Sequence, residues 1–541
     1  MDYRLPIAVR AAQNAENTEA LLRKKTLQIG LNEKDLTKLS GGSLILDYGK
    51  ELSGGIRILT YAVKGPGFVR IRFGESLGEC CADIGYKNAT NDHSTRDFTM
   101  QLQNYSDMTF GQSGFRFVRI DCVDAETELE IKNIWAAFDL PEREPIGTFV
   151  SDDEEVNQIW NTAAWTLNLC RQNGYFWDGV KRDRLVWIGD LYPEMRAAHC
   201  LYGTVPETSA SLDFARKEAE LPGWMNGYPT YSLWWLIILA DEVVRFGARK
   251  PTAEEIAYIE QLLPQVASCV TEAGEVIFPN GFVFIDWPSL CRKEWEPEKW
   301  EEFMSGVRAL TVIAMDKAAG IPGLSENAKK ICHEIHEKVD RMERPVRKLK
   351  QMAALCTIAG DKTETNREIL LQGGAEGLST FMSYPILTAM ARYGDYDQAF
   401  GIMKEYYGGM LKMGATTFWE DFDLSWMENA TRIDEFPQEG RPDIHGDFGA
   451  YCYEKYRHSL CHGWSAGVIA YLMESVAGIR EVGNEGRTIE IDPHLAGLNS
   501  LDVQYPTPCG ILKVSFRKKE DGTVDTVFEA PEGLTLQRKE N

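Results

Sequence analysis

The chain has 541 residues, of which 44% are hydrophobic and 26% are charged, and its formal net charge is −23. This length exceeds a single ordinary hydrophobic core, so we expect two to four globular domains. The negative charge disfavours nucleic acid and anionic membranes as partners, because both are themselves negatively charged. The N-terminus lacks the apolar run of a secretory signal, and no stretch approaches the roughly 18 apolar residues of a membrane span.

The 12 cysteines have no regular spacing and include no CxxC pair. The sequence therefore predicts neither a disulfide framework nor a zinc site, and scattered free thiols favour a reducing, cytoplasmic location. His333 and His336 lie at helical spacing in a charged stretch, which is more typical of a solvated helix surface than of a metal site. We predict no metal and no cofactor.

Residues 1–145 are predicted to form an antiparallel β-sandwich, because several segments alternate apolar and polar residues between glycine-rich turns. These segments are GGSLILDYGK, SGGIRILTYAV, GPGFVRIRFGE and SGFRFVRIDCV. The stretch LPEREPIGTF, residues 140–149, contains two prolines and is predicted to be a linker.

Residues 146–479 are predicted to form an all-helical catalytic domain. The stretch SDDEEVNQIWNTAAWTLNLC opens with Ser151 as the predicted N-cap and has acids in its first turn. About ten to twelve helical segments follow, which favours a toroid of paired helices, the (α/α)6 barrel. A helical solenoid is the alternative, although no repeating consensus is visible.

Residues 480–541 return to strand-like patterns and are predicted to form a small C-terminal β-sandwich domain. The segment KEDGTV places Asp-Gly between two alternating stretches, which predicts a β-hairpin. The expected architecture is multidomain, with the (α/α)6 barrel flanked by the two β-domains.

The most unusual stretch is WDGVKRDRLVWIGD, residues 177–190, which mixes acids, arginines and tryptophans. In an extended or loop geometry, Asp178 and Asp183 would converge on one cavity. Arg182 would keep one carboxylate ionised, and the neighbouring like charge would favour protonation of the other. An acid pair with tryptophan walls suits sugar hydrolysis. The alternative is a buried network of Asp and Arg that ties helices together.

Two further segments place acids beside tryptophan. GATTFWEDFD contains Trp419 and Glu420, just before a long loop that is rich in aromatic residues. FVFIDWPSL contains Asp286 and Trp287. A long loop inside a compact domain, such as the one after GATTFWEDFD, is usually functional or disordered. The aromatic residues of this loop favour an ordered one.

A fourth segment, YRHSLCHGWSAG, carries His458 and His462 four residues apart, with Trp464 nearby. This spacing permits a metal pair, but neither an HExxH motif nor a convergent set of ligands accompanies it. The pattern favours histidines that donate and accept hydrogen bonds in a pocket. Together the four segments predict a carbohydrate pocket formed by loops between helices.

These motifs resemble glycoside hydrolase family 78, the bacterial α-L-rhamnosidases. DGVKRDRLVWIGD is similar to the signature of the family, GATTFWE to the segment that bears its second catalytic carboxylate, and SLCHGWSAG to its histidine-bearing helix start. LILDYGKELSGGIRI and FGQSGFRFVRI resemble the β-sandwich that precedes the barrel. The resemblance covers most of the chain and implies a barrel with β-domains that cleaves terminal α-L-rhamnose with inversion.

By position, the resemblance implies that Asp183 is the general acid and that Glu420 is the general base. The predicted substrate-binding residues are Asp178, Arg182, Trp187, Asp190, Asp286, Trp287, Trp419 and His462. The implied partner is a small-molecule or oligosaccharide rhamnoside, and a homodimer is an open expectation.

The chain departs from the family pattern in three ways. The usual acid is glutamate, whereas Asp183 is one methylene shorter, and Gly179–Val180 replaces the usual Cys-Pro. We also expect the extra N-terminal β-domains that are common in the family to be missing or reduced, which suggests a compact subgroup. Two alternatives follow: a toroidal glycosidase for another sugar, or a catalytically impaired sugar-binding homologue. A uronate lyase is disfavoured, because the predicted pocket is rich in acids.

Overall fold

The computed structural model describes residues 2–140, 144–279, 282–294, 296–483 and 485–538. Two β-rich regions flank a helical region, as the sequence predicts. In the N-terminal region every strand pairing is antiparallel. Its strands are β1 (Asp2–Arg4), β2 (Ala8–Glu16), β3 (Thr37–Lys64), β4 (Phe68–Gly74), β5 (Asp97–Gln101), β6 (Ser106–Cys122) and β7 (Glu128–Phe138), and a short helix α1 (Leu77–Cys81) follows β4.

The long strand β3 closes this sheet around an apolar core. Ile131 of β7 pairs with both Thr37 and Thr60 of β3, so β3 curls and its two ends contact the same neighbour. Leu44 and Ile58 are fully buried inside the resulting layer of side chains. Successive side chains of a strand point to opposite faces, so the alternating apolar residues of these strands lie on the inner face of the sheet.

Twelve helices occupy the middle of the described chain. They are α2 (Glu154–Cys170), α3 (Ile188–Tyr202), α4 (Pro206–Glu218), α5 (Pro229–Ala240), α6 (Ala253–Ser268), α7 (Pro297–Ala319), α8 (Glu326–Asp340), α9 (Lys350–Ala359), α10 (Glu364–Leu371), α11 (Ser383–Tyr393), α12 (Tyr396–Lys412) and α13 (Val468–Tyr471). Six of them contact one another in the closed order α3, α5, α7, α9, α11, α13 and back to α3.

Burial distinguishes the ring helices from those packed outside them. Every residue of α5, PTYSLWWLIILA, is buried, as expected of a helix that is apolar on all sides. In α8 the buried residues are Ala328, Cys332, Ile335 and Val339, which recur every three or four positions along one face. A single apolar stripe of this kind is typical of a helix that faces solvent.

The start of the helical region differs from the prediction. Helix α2 begins at Glu154, and its N-cap is Asp153, whose carboxylate accepts a hydrogen bond of 3.2 Å from the amide of Val156. The expected N-cap, Ser151, is instead the last residue of strand β8 (Thr148–Ser151). The predicted linker therefore ends in a strand, and its residues 141–143 lie outside the described residues.

Strand β8 pairs antiparallel with β13 (Ser500–Thr507) and so joins the C-terminal β-region. The remaining strands are β9 (Arg171–Gln172), β10 (Tyr175–Phe176), β11 (Ile479–Gly483), β12 (Thr488–Ile491), β14 (Gly510–Lys518), β15 (Val524–Glu529) and β16 (Thr535–Arg538). The predicted hairpin is confirmed, because β14 and β15 are antiparallel neighbours around KEDGTV. Among the described helices, none has the length and apolar character needed to cross a bilayer.

Candidate active site

The loop between β10 and α3 folds back on itself and groups its charged side chains. The backbone of Asp178 and Leu185 closes the loop, since the amide of Asp178 donates to the carbonyl of Leu185 over 3.0 Å. The carboxylate of Asp178 in turn accepts from the amide of Leu185 over 2.8 Å. At the turn, Asp183 and Arg184 have φ values of 46° and 58°. Left-handed backbone of this kind is strained for most side chains but is better tolerated by aspartate.

Backbone hydrogen bonds bring three distant segments side by side. The amide of Gly463 donates to the carbonyl of Asp178 over 2.6 Å, and the amide of His462 donates to the carbonyl of Phe418 over 3.0 Å. The amide of Glu420 donates to Ser459 over 3.0 Å. The motifs that contain Asp178, Glu420 and His462 therefore meet at one place.

A cavity of about 270 Å³ lies where these segments meet. Eight of the predicted site residues line it: Asp178, Arg182, Asp183, Trp187, Asp190, Trp287, Glu420 and His462. The structure thus brings together residues that lie up to 284 positions apart in the chain.

Asp286 and Trp419 lie outside that lining. Asp286 is 2% exposed, and its carboxylate accepts hydrogen bonds from Ser379 Oγ at 2.8 Å and from the amide of Ser289 at 3.1 Å. Trp419 is 1% exposed and packs edge-to-face on Phe422, with ring centroids 5.5 Å apart. Each is the chain neighbour of a residue that does line the cavity.

Arg182 bridges the two predicted catalytic carboxylates. Its Nη1 lies 2.9 Å from Asp183 Oδ1, and its Nη2 contacts Glu420 Oε1. Burial alone would lower the pKa of Arg182, but the two carboxylates raise it well above its usual value. The planar guanidinium of Arg182 therefore contacts both acids at once, because its N–H donors form a fork that can reach two carboxylates.

A second group in the cavity carries little charge. Nε2 of His462 lies 3.4 Å from Glu420, 3.6 Å from Asp178 and 3.9 Å from Asp190. Burial lowers the pKa of His462 to about 4, so its imidazole is neutral at neutral pH. Burial raises the pKa of Asp178 and of Asp190 well above the usual range, and Asp183 and Asp178 respectively add to these shifts. A protonated carboxyl group can donate one hydrogen bond as well as accept others, so these side chains could bind a ligand in either role.

Aromatic side chains also line the cavity. Trp287 meets Phe284 edge-to-face, with centroids 5.1 Å apart, and stacks on Tyr451 at 5.7 Å. Trp187 packs near Tyr228, with centroids 6.0 Å apart. Aromatic side chains combined with a few convergent polar groups are the usual lining of a pocket that orients a small ligand.

Sequence reasoning missed several residues of the lining. They are His93, Tyr228, Tyr231, Phe284, Cys452, Tyr453, Arg457 and Trp464. Two of them could have been predicted, because Phe284 lies within the segment FVFIDWPSL and Trp464 follows His462 by two residues. Nothing in the sequence pointed to His93, which comes from the N-terminal β-region and lies 3.5 Å from Asp183.

The family model for the bacterial α-L-rhamnosidase six-hairpin glycosidase domain matches residues 144–236. Among solved structures, the chain is similar to a family 78 rhamnosidase of Bacillus sp. GL1, with a TM-score of 0.69 and 17% identity over 96% of this chain and 55% of that one. It is similar to a rhamnosidase from Klebsiella oxytoca with rhamnose bound, with a TM-score of 0.63 and 20% identity over 87% and 95% of the two chains. An α-L-rhamnosidase from Aspergillus terreus has a TM-score of 0.69 and 16% identity, over 93% of this chain and 60% of that one.

The chain thus spans little more than half of the Bacillus protein but nearly the whole length of the Klebsiella protein. A search of curated protein sequences gave no match. At these identities the solved structures establish the fold, and the family model adds the segment that contains the 177–190 motif. The similarity to the bacterial α-L-rhamnosidases that the motifs indicate is therefore confirmed.

Proposed function

We propose that the protein is an inverting glycoside hydrolase that releases terminal α-L-rhamnose, with Asp183 as general acid and Glu420 as general base. The observation that carries the proposal is the placement of both carboxylates on the guanidinium of Arg182, inside one cavity that aromatic side chains also line. The family model supports the reaction class, because it describes a glycosidase domain.

In this mechanism Asp183 protonates the departing glycosidic oxygen as the bond to the anomeric carbon breaks. Glu420 removes a proton from a water molecule, whose oxygen attacks that carbon from the opposite face. The products are β-L-rhamnose and the free alcohol, and one water molecule is consumed. These steps require only the side chains of the chain and water.

Substrate binding divides between the polar and the aromatic side chains of the cavity. Asp178, Asp190 and His462 would donate and accept hydrogen bonds with the ring hydroxyls. Trp187 and Trp287 would cover the apolar face and the methyl group of the sugar, since C–H bonds of this kind favour aromatic surfaces. Four carboxyl groups line the cavity, and a lining so rich in acids favours a neutral sugar over an anionic one.

The arrangement of the helices and the domain boundaries are part of the same proposal. We infer that α2–α13 form an (α/α)6 barrel, since six helices contact one another in a closed ring and the matched family model is named for six hairpins. We keep the domain ranges 1–145, 146–479 and 480–541, with the addition that β8 pairs into the C-terminal β-region. A cytoplasmic location and a homodimer are proposed as well, and fractionation and light scattering would test them.

The test is hydrolysis of p-nitrophenyl α-L-rhamnopyranoside, with proton NMR to identify the first anomer released. We expect β-L-rhamnose from the wild type and strongly reduced turnover from Asp183→Asn and Glu420→Gln. Initial release of α-L-rhamnose would contradict inversion. Rhamnose binding by calorimetry without turnover would indicate a sugar-binding homologue, and hydrolysis of a different nitrophenyl glycoside would indicate another specificity.

A further inference from the structure

Lys181 directly precedes Arg182 in the chain, and its side chain is buried. Its Nζ lies 2.8 Å from Glu75 Oε2 and 3.2 Å from Glu79 Oε1. Both carboxylates belong to the N-terminal β-region, where Glu75 follows β4 and Glu79 lies in α1. A buried ion pair therefore connects this region to the loop that carries the proposed general acid.

The ammonium of Lys181 is also bound to the segment that precedes His462. It donates to the backbone carbonyls of His458 at 2.6 Å and of Tyr456 at 3.0 Å. Because the cluster is buried, these contacts lie in a low local dielectric, where charge-assisted hydrogen bonds are strong. The position of Lys181 is thus fixed by carboxylates and carbonyls from two separate segments.

Glu75 has a second set of contacts, which leads to the proposed general base. Its Oε2 accepts a hydrogen bond of 2.7 Å from the amide of Leu460. The neighbouring amide of Ser459 donates to Glu420 Oε2 over 3.2 Å, and the amide of Glu420 donates to the carbonyl of Ser459 over 3.0 Å. Glu75 is therefore linked to Glu420 through residues 459–460 and to Arg182 through Lys181.

We propose that Glu75 is a positioning residue, by which the N-terminal β-region sets the relative placement of Arg182 and Glu420. It is 0% exposed, so it acts through Lys181 and Leu460 and does not contact the substrate. The inference rests on the proposed function. A displacement of about 1 Å in a catalytic group is enough to lower turnover by about 100-fold, so a buried anchor of this kind can control the rate.

Glu75, Glu79 and His445 also lie close enough to one another to hold a metal ion. The cation that the structure places there is the ammonium of Lys181, which contacts both carboxylates. Both ring nitrogens of His445 already have partners, Ser76 Oγ at 2.7 Å and the carbonyl of His458 at 2.9 Å. We therefore assign Lys181 as the charge partner of Glu75.

The experiment compares Glu75→Gln with the wild type and with Glu481→Gln on p-nitrophenyl α-L-rhamnopyranoside. Glu481 is a matched control, because it is a buried carboxylate paired with Arg245 and His199, which lie away from the cavity lining. We expect kcat of Glu75→Gln to fall by about 10- to 100-fold, with KM within about threefold, while Glu481→Gln keeps both constants.

Glu75→Gln leaves the buried ammonium of Lys181 with the carboxylate of Glu79 alone, so the triple variant Glu75→Gln/Glu79→Gln/Lys181→Met, which removes all three buried charges, keeps the test decisive if Glu75→Gln does not fold. The triple variant should fold and show the same loss of kcat. Wild-type kcat in either folded variant, or an equal loss in Glu481→Gln, would overturn the positioning role. Absence of turnover by the wild type on every glycoside tested would instead remove the proposed function, and this inference with it.

Discussion

Helix α3 carries buried charges near both of its ends, and the two groups differ in how well the charges are matched. Near its start, Asp190 belongs to what we call the pocket cluster, which consists of Arg182 and four acids, Asp178, Asp183, Asp190 and Glu420. Arg182 contacts two of these acids, Asp183 and Glu420. Near its end, His199 belongs to what we call the α3 network, in which each of three acids has at least one basic partner. Its residues are the acids Asp241, Glu474 and Glu481 and the basic residues Arg196, His199, Arg245 and Lys317.

Burial favours the neutral acid in both groups, but the net pKa shifts of Glu481 and Asp190 have opposite directions. In the α3 network burial favours the neutral acid, but Arg245 and His199 more than offset it and lower the pKa of Glu481. In the pocket cluster burial raises the pKa of Asp190, and the neighbouring Asp178 raises it further. Matched charges stabilise the packing of helices and strands, whereas unmatched acids around an open cavity are available to a ligand.

The largest expected effect is the loss of the general base. Glu420→Gln should lower kcat by about 10²- to 10⁴-fold, because the amide cannot take a proton from water. The fold should persist, since glutamine fills the same space and can still accept from the amide of Ser459. Steady-state kinetics and circular dichroism would check both points, and kcat near that of the wild type would exclude Glu420 as the base.

A second experiment tests whether the acids of the pocket cluster carry protons. Asparagine donates and accepts hydrogen bonds as a neutral carboxyl group does, and alanine does neither. If Asp190 is neutral in the free enzyme, Asp190→Asn should keep kcat/KM within about 10-fold of the wild type, and Asp190→Ala should lose more than about 10-fold. Equal losses in the two variants would indicate that an ionised Asp190 is needed.

The sequence was sufficient to predict the order of β, helical and β regions and eight of the sixteen residues that line the cavity. Acids beside tryptophan are visible in a linear motif, and the motif around Asp183 groups residues that stay close in space. The partners of Lys181 could not be predicted, because Glu75 and Glu79 lie about 100 positions away in strand-like sequence. The α3 network was also missed, since matched pairs between distant elements leave no local pattern.

Asp286 shows that the direction of a side chain in a loop could not be predicted from the sequence either. Its pairing with Trp287 resembles that of the other segments, so sequence reasoning assigned it to the substrate. Its carboxylate instead accepts hydrogen bonds from Ser289 and Ser379. The direction of a side chain in an irregular loop depends on such partners, which are not visible before the fold is known.

Truncating a matched pair in the α3 network should affect stability and not turnover. Glu481→Gln removes the carboxylate that contacts His199 and leaves Arg245 with Glu474 alone, and breaking a buried pair costs about 3–5 kcal/mol. We expect a clear fall in Tm with unchanged kcat. Glu529→Gln is the control, because its pair with Lys513 is exposed and should contribute at most about 1 kcal/mol. Equal Tm values for the two variants would contradict the difference between buried and exposed pairs.

The smallest expected effect is a change in how stability depends on pH. Burial, with a contribution from Glu420, raises the pKa of Asp421 from 3.8 to about 7. The folded state therefore binds the proton more tightly than the unfolded state, and the contribution of Asp421 to the free energy of unfolding falls as pH rises from about 4 to about 7. Asp421→Asn removes this dependence, so its Tm relative to the wild type should be higher at pH 8 than at pH 4.5. Asp525→Asn, at an exposed pair with Lys519, should show no such trend. A Tm difference for Asp421→Asn that stays constant between the two pH values would show that Asp421 is ionised in the folded protein across this range.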